Sequence, residues 1–274
     1  MIFKIHILNI IFFLYKKYVI IISHIINGDL MKKYNYKNIS ENEHIYHTWE
    51  PLKFNIKDNY KYIITNPFFK IISNIIAIPI GIILIIINKI IYGYKIENKE
   101  NLIKNSGFVS VSNHLHPMDC TMIGLIYYPK RVYYPTIKRN FQIPLVRHLI
   151  RLLYAMPIPT KENQKRDFYK QINNALLKRK IVHMYPEGSM WPYYEEVRNF
   201  KYGAFKMAVD ANVSIQPIRF LLTNPQGIYK LYKKNKCFHA IILKPIYPNE
   251  TLPYEERIAD LKERTFASIK GVIK

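Results

Sequence analysis

The sequence has only two cysteines, Cys120 and Cys237, and no motif spacing relates them. A disulfide framework is therefore excluded, and unpaired thiols of this kind are typical of a reducing compartment. A small-residue cleavage site is missing around residues 26–29, which argues against a secretory signal. The chain also lacks internal repeats and low-complexity linkers, so its length predicts one large globular domain or two modest ones.

Acidic residues are scarce: 19 Asp and Glu stand against 41 Lys and Arg, a formal net charge of +22. A field of this sign favours anionic partners, namely phospholipid head groups, nucleic acid or an acidic carrier protein. The basic residues are spread along the chain, which argues against a nucleic-acid partner. A codon bias toward A and T would also enrich lysine, asparagine, isoleucine and tyrosine, which is an alternative explanation for part of this charge.

Long uninterrupted apolar runs are few. Residues 1–30 are mostly apolar, but Lys4 and the Lys16–Lys17 pair break the run, and a bilayer span needs about 20 apolar residues. Three interpretations stay open: a peripheral membrane anchor, a poor transmembrane helix, or an extension created by an early start codon. Met31 precedes a polar segment and would make a natural start, which favours the third interpretation.

Residues 31–104 form a second region, which is polar and aromatic at first and then strongly apolar. The apolar run from Ile75 to Ile87 is short for a full span, but it suits a segment buried in one leaflet. Tyr92 and its neighbours follow the run, as is typical of a membrane–water boundary. Pro79 inside the run predicts a kink or two short helices. We therefore expect a membrane-embedded helical pair; the alternative is an internal core helix.

From residue 105 onward, strand patterns alternate with helix patterns. Apolar β-branched runs predict strands, and Phe168, Ile172 and Leu176 form a clear helical stripe. This alternation indicates an α/β fold, a mixed and mostly parallel sheet flanked by helices, over a domain covering 105–274. The predicted strands are 107–112, 131–137, 155–158, 181–185, 213–221 and 238–246, and the predicted helices are 117–127, 141–154, 163–180, 200–211 and 253–272.

Two polar stretches follow predicted strands. His114 comes directly after the first strand, and Asp119 falls in the first turn of the next helix. If the turn is tight, the Asp can orient the imidazole and leave its other nitrogen as a base. Glu187 and Gly188 follow a later strand. Because ligands bind at the carboxyl ends of parallel strands, both stretches are expected at one edge of the sheet.

Together these stretches resemble the lysophospholipid acyltransferase family, which includes bacterial 1-acylglycerol-3-phosphate acyltransferases. The family pattern Asn-His, four residues, Asp matches NHLHPMD at 113–119, and its Phe-Pro-Glu-Gly-Thr signature is similar to YPEGS at 185–189. FKYGAFKMA at 200–208 and VSIQPI at 213–218 resemble two further family blocks. Residues 138–144 look like the remnant of another.

The resemblance implies acyl transfer from acyl-CoA or acyl carrier protein to a hydroxyl of a lysophospholipid such as 1-acylglycerol-3-phosphate, in phospholipid biosynthesis. It implies membrane lipids as partners, a position on the cytoplasmic face of the membrane, and no bound cofactor or metal. His114 would be the catalytic base and Asp119 its orienting partner. The implied substrate-binding residues are Glu187, Gly188, Ser189, Lys138, Arg139 and Lys201.

Two departures from the family pattern concern the acceptor. The arginines that the family is thought to use for the acceptor's phosphate are missing, since Thr160 and Lys161 are the nearest candidates at one position and Met190 occupies the other. Arginine chelates phosphate bidentately in a way that lysine does not. Either Arg139, Arg198 and Lys201 substitute, or the acceptor is a lipid other than lysophosphatidate.

Three other classes of function stay open. His114, His116 and Asp119 resemble part of the metal-binding motif of metallo-β-lactamase-like hydrolases, but the Asp falls one position late and no His follows it. A nucleic-acid-binding module would need clustered basic residues with stacking aromatics. A catalytically inactive membrane scaffold would keep the fold without transfer. We interpret His116 as a structural or surface residue and His183 as a packed one.

Overall fold

The computed structural model describes residues 52–272, together with residues 36, 39, 40, 43 and 45. The chain divides into two compact units, Met1–Ser40 and Glu41–Lys274. The three interpretations of segment 1–30 lie outside the described residues. The elements described below all belong to the second unit.

Seven strands form one sheet in the part of the chain that the structure describes, in the order β1-β7-β6-β2-β5-β3-β4. Neighbouring strands are parallel except for the antiparallel pair β6 and β7. The predicted mixed, mostly parallel sheet is confirmed. The strands are β1 (Lys95–Glu97), β2 (Phe108–Ser112), β3 (Val132–Thr136), β4 (Ala155–Pro157), β5 (Ile181–Met184), β6 (Ile215–Thr223) and β7 (Cys237–Ile242).

Helices cover both faces of this sheet. Every residue of β2 is buried, as expected of a central strand covered on both sides. Val109 and Val111 of β2 belong to the main hydrophobic core. Ser110, on the opposite face, accepts a hydrogen bond from the hydroxyl of Tyr127. The helices are α1 (Pro67–Ile90), α2 (Asp119–Tyr127), α3 (Val146–Leu152), α4 (Glu162–Leu177), α5 (Gly203–Asp210) and α6 (Tyr254–Lys270).

Helix α1 is continuous, so the predicted pair of short helices is wrong. Pro67 occupies its first turn, and the Asn66 side chain accepts hydrogen bonds from the N–H groups of Phe68 and Phe69. Its 24 residues span about 36 Å, and it is long and apolar enough to cross a membrane. Pro79 lies inside the helix without ending it.

One narrow stripe of α1 contacts the rest of the domain. Ser73 Oγ donates to the carbonyl of Leu152, and Asn88 Nδ2 donates to Thr121 Oγ1 at 3.2 Å. Only 17% of its most apolar stretch is buried, which contradicts the alternative of an internal core helix. The exposed apolar face indicates membrane association. It consists of Phe68, Ile71, Ile72, Ile75, Ile78, Ile82, Ile83, Ile85, Ile86 and Ile90.

Candidate active site

The loop after β2 brings His114 and Asp119 into direct contact. His114 Nδ1 lies 2.7 Å from Asp119 Oδ2. Asn113 fixes the start of this loop on the neighbouring strand β6, because its side chain donates to the carbonyl of Phe220 and accepts from the N–H of the same residue. The histidine side chain is 21% exposed. The tight turn expected from the sequence therefore forms.

Backbone amides hold the Asp119 carboxylate in place. Oδ2 accepts from the N–H groups of Leu115 at 3.1 Å and His116 at 3.3 Å. Burial raises the pKa of Asp119, but the charge of His114 and its hydrogen bond outweigh this effect and hold the pKa below its usual range. An ionised carboxylate can only accept, so Nδ1 carries the proton. In the neutral form of His114, the lone pair on Nε2 is then available to a substrate.

Tyr185 fixes the plane of the His114 ring, a role that the sequence analysis missed. Its ring stacks on His114 with the centroids 3.8 Å apart and the planes 10° from parallel. Burial raises the pKa of Tyr185 well above its ordinary value, so the phenol stays neutral. The aromatic residue preceding Pro-Glu-Gly in the motif was the signal that could have identified it.

Glu187 lies at the end of β5, beside the loop that carries His114. Its Oε2 accepts from the N–H of His114 at 3.4 Å and from Arg198 Nη2 at 2.8 Å, and its Oε1 accepts from the N–H of Arg198. Glu187 is only 3% exposed. Burial raises its pKa, and the Arg198 guanidinium opposes that rise. The Glu187 carboxylate thus joins the loop after β2 to the segment that carries Arg198.

Arg198 forms the centre of this buried network. Its Nη1 donates to Ser189 Oγ at 2.7 Å, its Nη2 also donates to the Ser189 carbonyl, and its guanidinium lies over the Trp191 ring. Arg198 and Ser189 are both buried. The suggestion that Arg198 binds the acceptor's phosphate is therefore wrong, because its buried guanidinium is already bonded to Glu187 and Ser189.

Gly188 and Lys201 meet at the turn that follows Glu187. Gly188 has φ of +77°, a conformation that side chains other than glycine's rarely adopt. Lys201 lies directly over it, since a Cβ on Gly188 would be 2.6 Å from Lys201 Nζ. The N–H of Lys201 donates to the carbonyl of Pro186, and Lys201 is exposed. The turn therefore places an exposed ammonium beside the Glu-Gly corner.

Lys138 and Arg139 lie on a short 3₁₀ helix, Lys138–Gln142, that follows β3. The strands β2, β5 and β3 are consecutive and parallel, so this helix leaves the same edge of the sheet as the His114 and Glu187 loops. Lys138 Nζ donates to Asn55 Oδ1 at 3.2 Å. Three neighbouring strand ends thus carry the dyad, the Glu-Gly corner and these basic residues.

His116 is enclosed by aromatic rings. It is fully buried, with the rings of Tyr92, Tyr193 and Phe238 5.0–5.4 Å away, and its Nδ1 accepts from the N–H of Met118. Within the described ranges, no group of three His, Cys, Asp or Glu side chains could hold a metal ion. His116 serves packing here, and the geometry offers nothing to the metal-hydrolase alternative.

His183 lies in β5 beneath the dyad, packed as the sequence analysis expected. Its Nδ1 lies 2.9 Å from Ser110 Oγ, and its Nε2 lies 3.4 Å from Ser112 Oγ. Burial lowers the pKa of His183 from 6.5 to about 3. The imidazole is therefore neutral over the physiological range and does not compete with His114 for a proton.

This burial predicts a pH-dependent stability. In the unfolded chain His183 takes up a proton below about pH 6.5, whereas in the folded protein it stays neutral down to about pH 3. The free energy of unfolding therefore decreases as the pH drops from 6.5 to 3. Replacing His183 with Gln should flatten the fall by up to about 1.4 kcal/mol per pH unit. Urea unfolding at pH 7 and pH 5 measures it, with exposed His148→Gln as control. Parallel losses in wild type and His183→Gln would contradict the assignment.

The site thus consists of an imidazole bonded to a buried carboxylate at the carboxyl edge of a mostly parallel sheet, which is where α/β enzymes bind their ligands. Residues 93–221 match the Acyltransferase family model, which covers the dyad and the Glu-Gly corner. Over this stretch of the chain, the resemblance seen in its motifs is confirmed.

Two relatives illustrate the similarity. The chain is 29% identical over 180 residues to the 1-acyl-sn-glycerol-3-phosphate acyltransferase of Bacillus subtilis strain 168, covering 65% of this chain and 87% of the relative. The crystal structure of the 1-acyl-sn-glycerophosphate (LPA) acyltransferase PlsC from Thermotoga maritima aligns with a TM-score of 0.54 over 97% of each chain, at 16% identity. The second comparison supports the fold.

Proposed function

We propose that this enzyme transfers a fatty acyl group from an acyl-CoA or acyl carrier protein thioester to the free hydroxyl of 1-acylglycerol-3-phosphate. The observation that carries the proposal is the His114–Asp119 contact, together with the activity for which the Bacillus subtilis relative is named. His114 Nε2 takes the hydroxyl proton while the oxygen attacks the thioester carbonyl. The C–S bond then breaks, and the proton passes to the departing thiolate.

No acyl-enzyme is required in this scheme. Cys120 is the thiol next to the dyad, and burial together with the Asp119 charge raises its pKa to about 12. A thiol that stays protonated is a poor nucleophile. Direct attack by the acceptor oxygen fits these residues, and general base catalysis of this kind contributes about 10²–10⁴-fold.

The acceptor's phosphate would meet cations other than the family's two arginines. Lys201 lies over Gly188, and Lys138 and Arg139 leave the same edge of the sheet. Since Arg198 is buried and Met190 replaces a family arginine, Arg139 is the remaining candidate for a bidentate phosphate contact, and Lys201 and Lys138 supply point charges. This observation also favours the second candidate function, in which the same chemistry acylates a lipid acceptor other than lysophosphatidate.

An acceptor panel separates the two candidates. Lysophosphatidate, lysophosphatidylglycerol and monoacylglycerol are compared at one acyl donor, and we expect the highest kcat/KM for lysophosphatidate. Replacing Lys201 with Ala should lower that kcat/KM about tenfold, the effect of one charge-assisted hydrogen bond, and leave monoacylglycerol turnover unchanged. Lys178→Ala, an exposed lysine at the end of α4, is the control. Equal efficiencies for all three acceptors would favour the second candidate.

Helix α1 sets the position of the dyad relative to the lipid. Its contacts through Ser73 and Asn88 are with the same domain, so the helix lies along that domain, and its apolar face enters one leaflet. Asn88 meets Thr121 in the helix that begins with Asp119, so the C-terminal end of α1 is close to the dyad. The cytoplasmic face suits this arrangement, because soluble acyl donors and the two unpaired cysteines belong to that side.

A further inference from the structure

The connection between β6 and β7, residues 224–236, exposes large apolar side chains. It contains a 3₁₀ helix, Gly227–Leu231, on which Ile228 is 70% exposed and Leu231 84% exposed. Three residues complete one turn of a 3₁₀ helix, so these two side chains share a face. Exposed aliphatic side chains on neighbouring turns mark an interaction surface rather than a folding requirement.

Lysines and tyrosines surround this apolar tip. The connection carries four lysines and no acidic residue. Two of them have partners within the protein, since Lys233 donates to the Ile91 carbonyl and Lys236 pairs with Glu195. Lys230 and Lys234 are exposed. An aliphatic centre with aromatic and cationic neighbours is the composition of segments that sit at the bilayer surface.

The connection that carries this tip is also bonded to the end of α1. Tyr232 Oη donates to the carbonyl of Ile90 at 2.9 Å, which joins the connection to the C-terminal end of that helix. Ile86 and Ile90 are 51% and 54% exposed there. The connection that carries the tip is therefore bonded to the end of α1 that lies next to the dyad.

We propose that residues 224–236 form a second membrane-binding element, which inserts Ile228 and Leu231 into the head-group region of an anionic phospholipid bilayer. The bilayer is favoured over an acidic protein such as acyl carrier protein for two reasons. An apolar tip gains most from a hydrocarbon boundary, and this tip extends a surface that already associates with membrane. With α1, the element holds the domain that carries the dyad at the lipid surface.

The test places a tryptophan at the tip. Leu231→Trp is made in the full chain and bound to phosphatidylcholine–phosphatidylglycerol vesicles with brominated acyl chains. After subtraction of the wild-type signal, we expect the fluorescence of the introduced tryptophan to be quenched. Leu177→Trp, at an exposed position on α4, is the matched control and should stay unquenched. The substituted leucine is exposed, so folding is preserved.

Changes of charge and of lipid composition distinguish the two possible partners of residues 224–236, an anionic bilayer and acyl carrier protein. Lys230→Gln with Lys234→Gln should weaken vesicle partitioning by about fivefold per lysine on anionic vesicles and leave partitioning on pure phosphatidylcholine unchanged. Ile228→Ser should weaken binding to both kinds of vesicle. Vesicle-bound Leu231→Trp protein whose introduced tryptophan stays unquenched overturns the proposal. So does a fluorescence signal from that variant that changes with added acyl carrier protein but not with vesicles.

Discussion

Replacing His114 with Ala should reduce the rate of acyl transfer by at least about 10²–10⁴-fold, because the group that accepts the hydroxyl proton is removed. Binding of acceptor and donor should change little, so we expect the lower rate to appear as a decrease in kcat and not as an increase in KM. Asp119→Asn should also be strongly impaired, since a neutral amide no longer stabilises the imidazolium formed during attack. Initial rates with a labelled acyl donor measure both variants.

The control for this experiment is His148→Ala, at an exposed histidine of α3, which should keep wild-type activity. Thermal unfolding of each variant shows whether the fold persists. His114→Gln adds a second check, because a side-chain amide can still donate to Asp119 but cannot act as a base. Transfer by folded His114→Gln protein at the wild-type rate would remove His114 from the mechanism.

Arg198→Met should be among the most destabilising substitutions in the chain. It leaves the Glu187 carboxylate, 2% exposed at its side chain, without its positive partner, and breaking a buried pair in this way costs about 3–5 kcal/mol. Activity should fall as well, because Glu187 also accepts from the N–H of His114. Urea unfolding in detergent micelles measures the stability, and initial rates measure the activity.

Lys165→Met is the matched control for Arg198→Met. Lys165 pairs with Glu162 on the surface of α4, where the two side chains are 42% and 82% exposed, and such pairs contribute at most about 1 kcal/mol. The double variant Glu187→Gln with Arg198→Met should recover part of the loss, since no buried charge is left unpaired. A double variant that is as unstable as the sum of its single variants would contradict the ion-pair explanation.

The elements that position the site were accessible from local sequence. The β-branched run before His114 and the run before Tyr185 predicted β2 and β5, and both strands lie close to their expected bounds. Because adjacent parallel strands end at one edge, the meeting of the His114 and Glu187 loops followed from the predicted sheet. The five-residue spacing to Asp119 allowed the dyad contact only if the turn between them was tight, and the match to the family pattern supported it.

Contacts between distant parts of the chain were not accessible in this way. Arg198 lies eleven residues from Glu187, outside any motif, and only the folded loop shows that its charge is internal.

Pro79 predicted a break, yet α1 continues through it. Ending a helix that faces lipid would leave several backbone polar groups without water to bond. That cost exceeds the loss of the one backbone hydrogen bond that proline removes, so the helix continues. The three-residue strand β1 was too short to leave a pattern.

The most direct test of the account follows the fate of the acyl chain. Purified protein receives lysophosphatidate and a thioester donor with an isotope label in its acyl group, and mass spectrometry identifies every labelled product. We expect the label in phosphatidate, formed at the rate at which the thiol is released. Label recovered as free fatty acid, or thiol release that does not depend on the acceptor, would show that water and not a lipid hydroxyl is activated beside His114.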